Sequence, residues 1–171
     1  MTSATVLVAT SIFALASDQM TKVWALEHLK VGEIHPFVGS FIQLQLVFNP
    51  GAAFSFLAHS TWIFTIVAIV ISAGVIYLIP RVHSLPWACA LGLLLGGAIG
   101  NLIDRLIRPP AFGVGHVVDF LNWNGWFVGN VADIWIVLAA GGLFILAALG
   151  IPMSPIAEAA SSNRGEDDCG D

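Results

Sequence analysis

The sequence predicts an all-α membrane bundle of four transmembrane helices with a small β-sheet formed by the loops, and three observations carry that prediction. Of the 171 residues, 57% are hydrophobic and only 10% charged, with a mean hydropathy of +0.88, so there is too little polar surface to cover a soluble globule. Four apolar runs stand apart, each near the roughly 20 residues that a ~30 Å hydrocarbon core demands. Between the first two, Phe41-Ile42-Gln43-Leu44-Gln45-Leu46-Val47 alternates apolar residues with glutamines, the period of a half-exposed strand.

The first run reads as a span over about residues 4–24, apolar to Ala16 and polar from Asp18, Gln19 and Lys22 onward, so its far end meets an interface. Met1-Thr2-Ser3 supplies no basic stretch, and Asp18 stands where a small-residue cleavage site would fall, so this segment is read as a span and not a leader. The second span, 61–79, runs uninterrupted to Pro80-Arg81. The third, 86–106, is apolar to Ile99, then carries Asn101, Asp104, Arg105 and Arg108 before Pro109-Pro110 stops it. The fourth, 127–151, has no charge between Asp133 and Glu158 and is closed by Pro152 and Pro155. Residues 1–155 thus read as one transmembrane domain. Residues 156–171 read as an acidic disordered tail whose Glu166, Asp167, Asp168 and Asp171 contribute to the formal charge of −5 and leave no surface for nucleic acid.

Within the third span Gly92, Gly96 and Gly100 recur every four residues, the small-residue face that lets helices approach closely in lipid. The strand at Phe41–Val47 leads to a turn at Asn49-Pro50-Gly51, and His116-Val117-Val118 could pair with it. Trp123 and Trp126 flank the fourth span as interface anchors. Cys89 and Cys169 show no disulfide or metal spacing, and His28, His35, His59, His83 and His116 show no zinc-ligand spacing; neither metal nor any other cofactor is expected.

Four spans return the chain to its starting side. Asp18, Asn101, Asp104, Asp119, Asn130 and Asp133 therefore share one depth, together with the loops 30–60 and 109–125. A charge at mid-helix costs about 2.5–3.5 kcal/mol, so four aspartates at one face need an account. Asp18 has Lys22 four residues on, and Asp104 has Arg108 four residues on with Arg105 adjacent; both read as ion pairs that orient helices. Asp119 and Asp133 differ, because Pro109 to Asn163 contains no Lys or Arg. Brought together, two such carboxylates would share a proton, one serving as general base and the other as general acid, as an aspartic peptidase requires. The competing account is that each only caps or hydrogen-bonds near a helix start. Asn101 and Asn130, each three residues before an aspartate, could position the pair or a substrate carbonyl, or simply join helices.

These residues resemble the lipoprotein signal peptidases, also called signal peptidase II, of bacterial membranes. Asp18-Gln19-Met20-Thr21-Lys22 is similar to the first motif of that family, Asn49-Pro50-Gly51-Ala52-Ala53-Phe54 to the second, and Gly96-Gly97-Ala98-Ile99-Gly100-Asn101-Leu102-Ile103-Asp104-Arg105 to the third. Val117-Val118-Asp119-Phe120 and Asn130-Val131-Ala132-Asp133 resemble the segments that carry the family's catalytic aspartates. The resemblance implies an aspartic endopeptidase that cuts a prolipoprotein just before a diacylglyceryl-modified cysteine, with Asp119 and Asp133 catalytic. By the same resemblance Asn49, Gly51, Gly97, Asn101, Arg105 and Asn130 hold substrate or dyad, while Asp18, Lys22 and Asp104 support the fold. It further implies a monomer in the bacterial cytoplasmic membrane, in contact with lipid, with cytoplasmic termini and an extracytoplasmic sheet and site. Counting positive charges alone gives the opposite orientation, since Lys22, Lys30, Arg105 and Arg108 face Arg81 and Arg164.

The chain departs from the family pattern at Gly129, where Phe is usual, and at Ile134, where Ser is common. A proton- or ion-coupled carrier would spread its charges along a span instead of gathering them at one interface. A non-enzymatic scaffold would leave Asp119 and Asp133 without a use.

Overall fold

The structure, a computed structural model, describes residues 2–51 and 61–154. The Ala52-Ala53-Phe54 portion of the second motif and the acidic tail 156–171 lie outside the described residues. Four helices are long and apolar enough to cross a membrane. They are α1 (Ser3–His28), α2 (Thr61–Leu78), α3 (Leu85–Ile107) and α4 (Val131–Ala148), with a 3-10 turn over Ile79–Arg81 after α2.

Helix α3 is central and packs against the other three. The spacing of its glycines does what the sequence predicts. A Cβ built on Gly92 would stand 2.7 Å from the Leu7 carbonyl oxygen, one on Gly96 2.5 Å from that of Ser11, and one on Gly100 2.5 Å from Asp18 Oδ2. Opposite them α1 buries Leu7, Ser11, Ala14, Asp18, Lys22 and Ala25, a stripe with the three- and four-residue steps of one helix face. The remaining faces present Ile12, Phe13, Ile66, Val70 and Phe144 outward, as a bundle solvated by hydrocarbon does.

The fourth span is shorter at both ends than the hydropathy suggests. Val128–Gly129 forms strand β4, and Asn130 caps α4 by accepting from the Asp133 backbone N–H while the Asp133 carboxylate accepts from the Asn130 N–H. At the far end Gly150 takes φ +64°, the left-handed geometry that stops a helix before Pro152 is reached.

The loops at the opposite end from Thr2 build an antiparallel sheet in the order β1 (His35–Val38), β2 (Ile42–Asn49), β3 (Val117–Asn122), β4. The strand does pair with the second loop, but in another register: Val117 and Val118 stand opposite Asn49 and Phe48, beyond the alternating residues, which themselves face 119–122, with Val47 opposite Asp119 and Leu44 opposite Leu121. Strand β2 extends farther than the pattern indicates, so Asn49 both ends the strand and opens the turn. Its Oδ1 accepts from the Gly51 N–H at 2.7 Å, and Gly51 bends the chain at φ +103°. Every residue of β3 is buried, which places its Asp119 between the sheet and the helices.

Candidate active site

The site lies where α1, α3 and α4 meet the sheet. Lys22 lies at the base, its side chain fully buried, with Nζ 2.8 Å from Asp18 Oδ2, 2.9 Å from Asp104 Oδ2 and 3.0 Å from Asn101 Oδ1. Three acceptors thus satisfy its three protons. Asp18 also accepts from the Ala132 N–H at 2.9 Å and from Gln19 Nε2 at 3.0 Å. Asp104 accepts from Arg108 Nε at 2.6 Å and from the Val118 N–H at 3.2 Å. The two ion pairs expected separately are one cluster, tied to α4 through Ala132 and to β3 through Val118. Both cations near Asp104 act on it, Arg108 by the hydrogen bond and Arg105 through its charge alone.

Asn101 is not paired with Asp104. It accepts from Lys22 and from Asn130 Nδ2 at 3.1 Å, and its own Nδ2 donates to Asp133 Oδ1 at 3.0 Å. Because both donors converge on Oδ1, the amide has only one orientation, with its NH₂ toward Asp133. Asn130 bridges the two remaining aspartates: Nδ2 donates to Asp119 Oδ1 at 2.6 Å, and Oδ1 accepts from the Asp133 N–H at 3.0 Å. Asn49 Nδ2 donates to Asp119 Oδ2 at 2.7 Å.

Asp119 is 1% exposed. Burial, reinforced by the negative charge of Asp133, pushes its carboxyl up to about 7, against the opposing pull of the Asn49 and Asn130 donors and of Lys22. The absence of Lys and Arg from 109–163 therefore does not leave the pair without cations. Lys22 from α1 acts on Asp119, and Arg105 from α3 acts on both Asp119 and Asp133. Local spacing could not show this, since both bases arrive from other segments.

Arg105 is 7% exposed, with its guanidinium 5.2 Å from the Phe64 ring centre. Among the described residues its Nη1 has no hydrogen-bond partner. Gly51 lies against it: a Cβ there would meet Phe64 Cδ2 at 2.5 Å and Arg105 Nη2 at 3.2 Å. Gly97 lets α3 close on α4, since a Cβ would meet the Ala132 carbonyl oxygen at 2.8 Å. Sequence reasoning missed Gln19, which links Asp18 to the Gly100 carbonyl oxygen, and Phe64, for which no sequence signal exists.

A cavity of about 360 Å³ opens beside Asp133, and the two departures from the family pattern, Gly129 and Ile134, both line it. Trp123 stacks on Phe127 at 5.8 Å near its rim, while Trp126 is 88% exposed. Among the described residues no group of three or more His, Cys, Asp or Glu converges as a metal-ligand set.

A family model described as signal peptidase (SPase) II matches residues 10–149. A lipoprotein signal peptidase of Leifsonia xyli subsp. xyli is 46% identical over 135 residues, which is 78% of this chain and 62% of that protein. One from Rhodococcus jostii is 44% identical over 80% of this chain and 69% of its own length. One from Bifidobacterium adolescentis is 39% identical over 92% and 84%. Two solved bacterial membrane enzymes superpose with TM-scores of 0.72 and 0.70 at 26% and 28% identity, covering 82% and 84% of this chain and 91% and 86% of theirs.

Proposed function

The chain belongs to the signal peptidase II family, and from that premise we propose that it is a membrane aspartic endopeptidase that removes signal peptides from lipoprotein precursors, with Asp119 and Asp133 as its catalytic pair. The observation that carries this reading is the Asn130 bridge between two carboxylates of unlike environment. Asp119 is buried and its carboxyl pushed up to about 7, which suits it to hold a proton. Asp133 sits in the first turn of α4, where it accepts from Asn101 Nδ2 and the Asn130 N–H.

Asp133 takes a proton from water, whose oxygen adds to the scissile carbonyl as Asp119 gives its proton to the carbonyl oxygen. The tetrahedral species then returns a proton to Asp119, and Asp133 delivers the other to the leaving nitrogen, restoring both groups. Arg105 Nη1, buried and unpartnered among the described residues, is assigned to a substrate carbonyl. Asn49, Asn101 and Asn130 hold the carboxylates; Gly51 and Gly97 permit the close approaches around them; Asp18, Lys22 and Asp104 fix the three helices beneath.

The reading carries a substrate cut before a diacylglyceryl-modified cysteine, reached laterally through lipid, by a monomer in the bacterial cytoplasmic membrane. The domain is 1–155, the termini and the acidic tail 156–171 are cytoplasmic, and the sheet faces outward. Exposed Phe37, Phe41, Trp126 and Phe127 at the sheet end suit a headgroup interface. The test is to incubate purified protein in detergent with a lipidated and an unlipidated precursor, alongside Asp119→Asn and Asp133→Asn. Cleavage of the lipidated precursor alone is expected, with each variant slowed about 10⁴-fold, the scale of losing a proton-transferring group. Retained cleavage by either variant rules out the pair.

A further inference from the structure

Arg105 stands apart from the other cations of the site. Lys22 and Arg108 each pair directly with a carboxylate. Arg105 forms no ion pair among the described residues, and its buried Nη1 has no hydrogen-bond partner there. Yet the charges of Asp119, Asp104 and Asp133 all act on it, that of Asp119 most strongly. A guanidinium so placed gains by closing on a carboxylate, since a bidentate pair satisfies two N–H donors at once. Two groups stand against that movement. Phe64, in the first turn of α2, sets its ring centre 5.2 Å from Arg105 Cζ, within the ~6 Å at which a ring face attracts a cation. Gly51 borders both: a Cβ there would fall 2.5 Å from Phe64 Cδ2 and 3.2 Å from Arg105 Nη2, so its missing side chain leaves room for ring and guanidinium to meet. The next residue fixes this end of α2, because Thr65 Oγ1 donates to the Gly113 carbonyl oxygen at 2.7 Å.

We propose that Phe64 is a positioning residue, whose ring holds the Arg105 guanidinium off Asp119 and so keeps Nη1 free for a substrate carbonyl and Asp119 free to hold its proton. The proposal rests on the peptidase reading above and deepens it. Phe64 touches no reacting atom and acts only through Arg105. Once the ring is removed, Arg105 turns toward Asp119, the carboxylate that pulls on it most. That contact favours the ionised form of Asp119, so the general acid loses its proton at lower pH, and it withdraws Nη1 from the substrate. The other charges that face Asp119 are Asp133 from α4 and Lys22 from α1, and a substitution at Phe64 leaves both in place.

The test follows cleavage of a lipidated precursor against pH by the full chain in detergent, with Phe64→Leu, Phe64→Met and Phe64→Tyr. Leu and Met keep apolar bulk without a ring face, whereas Tyr keeps the face. Both ringless variants are expected to lower kcat/KM about tenfold and to move the alkaline decline down by at least about half a pH unit, and Phe64→Tyr to hold both near the unsubstituted values. In an Arg105→Gln background, Phe64→Leu is expected to leave the decline where it is, because the group through which the ring acts is gone. The same shift in that background, no shift in the ringless variants, or equal losses in all three Phe64 variants overturns the role of Phe64. If one ringless variant does not fold, the other decides; if neither folds, the ring serves packing and the proposal is overturned. Asp119→Asn, run alongside, separates the two readings. Its inactivity together with an unshifted Phe64→Leu removes only the role of Phe64, whereas retained cleavage by Asp119→Asn removes the dyad and this proposal with it.

Discussion

Replacing Lys22 by Met tests whether the base of the site is one electrostatic unit. Asp18 and Asp104 carry two negative charges there, and Lys22 and Arg108 two positive. Lys22→Met leaves one negative charge uncompensated among groups that are 0% exposed, and breaking a buried pair in this way costs about 3–5 kcal/mol. Adding Asp18→Asn restores neutrality while keeping an acceptor for the Ala132 N–H, so the double variant is expected to recover at least about 2 kcal/mol of that loss. Unfolding in mixed micelles, followed by circular dichroism against mole fraction of SDS, measures both. Activity separates a second role. Lys22 donates to Asn101 Oδ1 and so turns the Asn101 NH₂ toward Asp133, which makes it a positioning residue. The double variant should therefore recover its fold but keep a depressed kcat. A Lys22→Met cost under about 1 kcal/mol, or no recovery with Asp18→Asn, refutes the single unit; full recovery of kcat with stability refutes the positioning role.

On the proposed mechanism catalysis needs the proton of Asp119, whose carboxyl lies near 7, and the pH–rate profile follows from it. Cleavage of a lipidated precursor should decline above about pH 7 as that proton leaves, and Asn49→Ala, by deleting a hydrogen bond that favours the ionised form, should move the decline to higher pH. An alkaline limb that ignores the Asn49 substitution counts against Asp119 as the acid. In α3, Gly96→Ala puts a Cβ 2.5 Å from the Ser11 carbonyl oxygen and 2.6 Å from Ala14 Cβ, and overpacking of this kind costs about 1–3 kcal/mol. Gly141→Ala in α4 meets nothing within 4 Å and should be neutral or stabilise by up to about 1 kcal/mol; equal effects of the two in the same unfolding assay would show that close approach is not what Gly96 provides.

The spans, the glycine face and the strand pairing were legible because each is written as a period: near-continuous apolarity, a four-residue repeat, an alternation. What stayed hidden has no period. Val128–Gly129 belongs to a strand because β3 is beside it, with Leu121 opposite Gly129 and Asn122 opposite Val128. A tertiary partner therefore overrode the apolar run that reads as the start of a span. For Asn101 the sequence offered a place beside the pair but not the partners, since the three-residue offset from Asp104 describes one helix while the side chain answers to Lys22, Asn130 and Asp133 on other elements. Counting bases in one stretch of sequence failed at Asp119 and Asp133 for the same reason. Electrostatics acts through space, and the charges that reach this pair are carried by α1 and α3.

The sequence also set capping and chemistry against each other as accounts of Asp133, and the geometry removes that opposition. Asp133 Oδ2 accepts from the Asn130 N–H at 3.1 Å and completes the cap of α4, while Oδ1 accepts from Asn101 and faces the network. The same Asn130 side chain that caps the helix through Oδ1 reaches Asp119 through Nδ2. Helix initiation therefore fixes both members of the pair: the peptide geometry that starts α4 dictates where the Asp133 carboxylate lies and where the donor to Asp119 points. Strand β3 brings Asp119 to that point from the other side, buried where it pairs with β2 opposite Val47. On the proposed reading the site needs no separate scaffold for its dyad, because a helix start and a paired, buried strand already hold the two carboxylates in unlike surroundings, one in reach of a helix dipole and the other stripped of water.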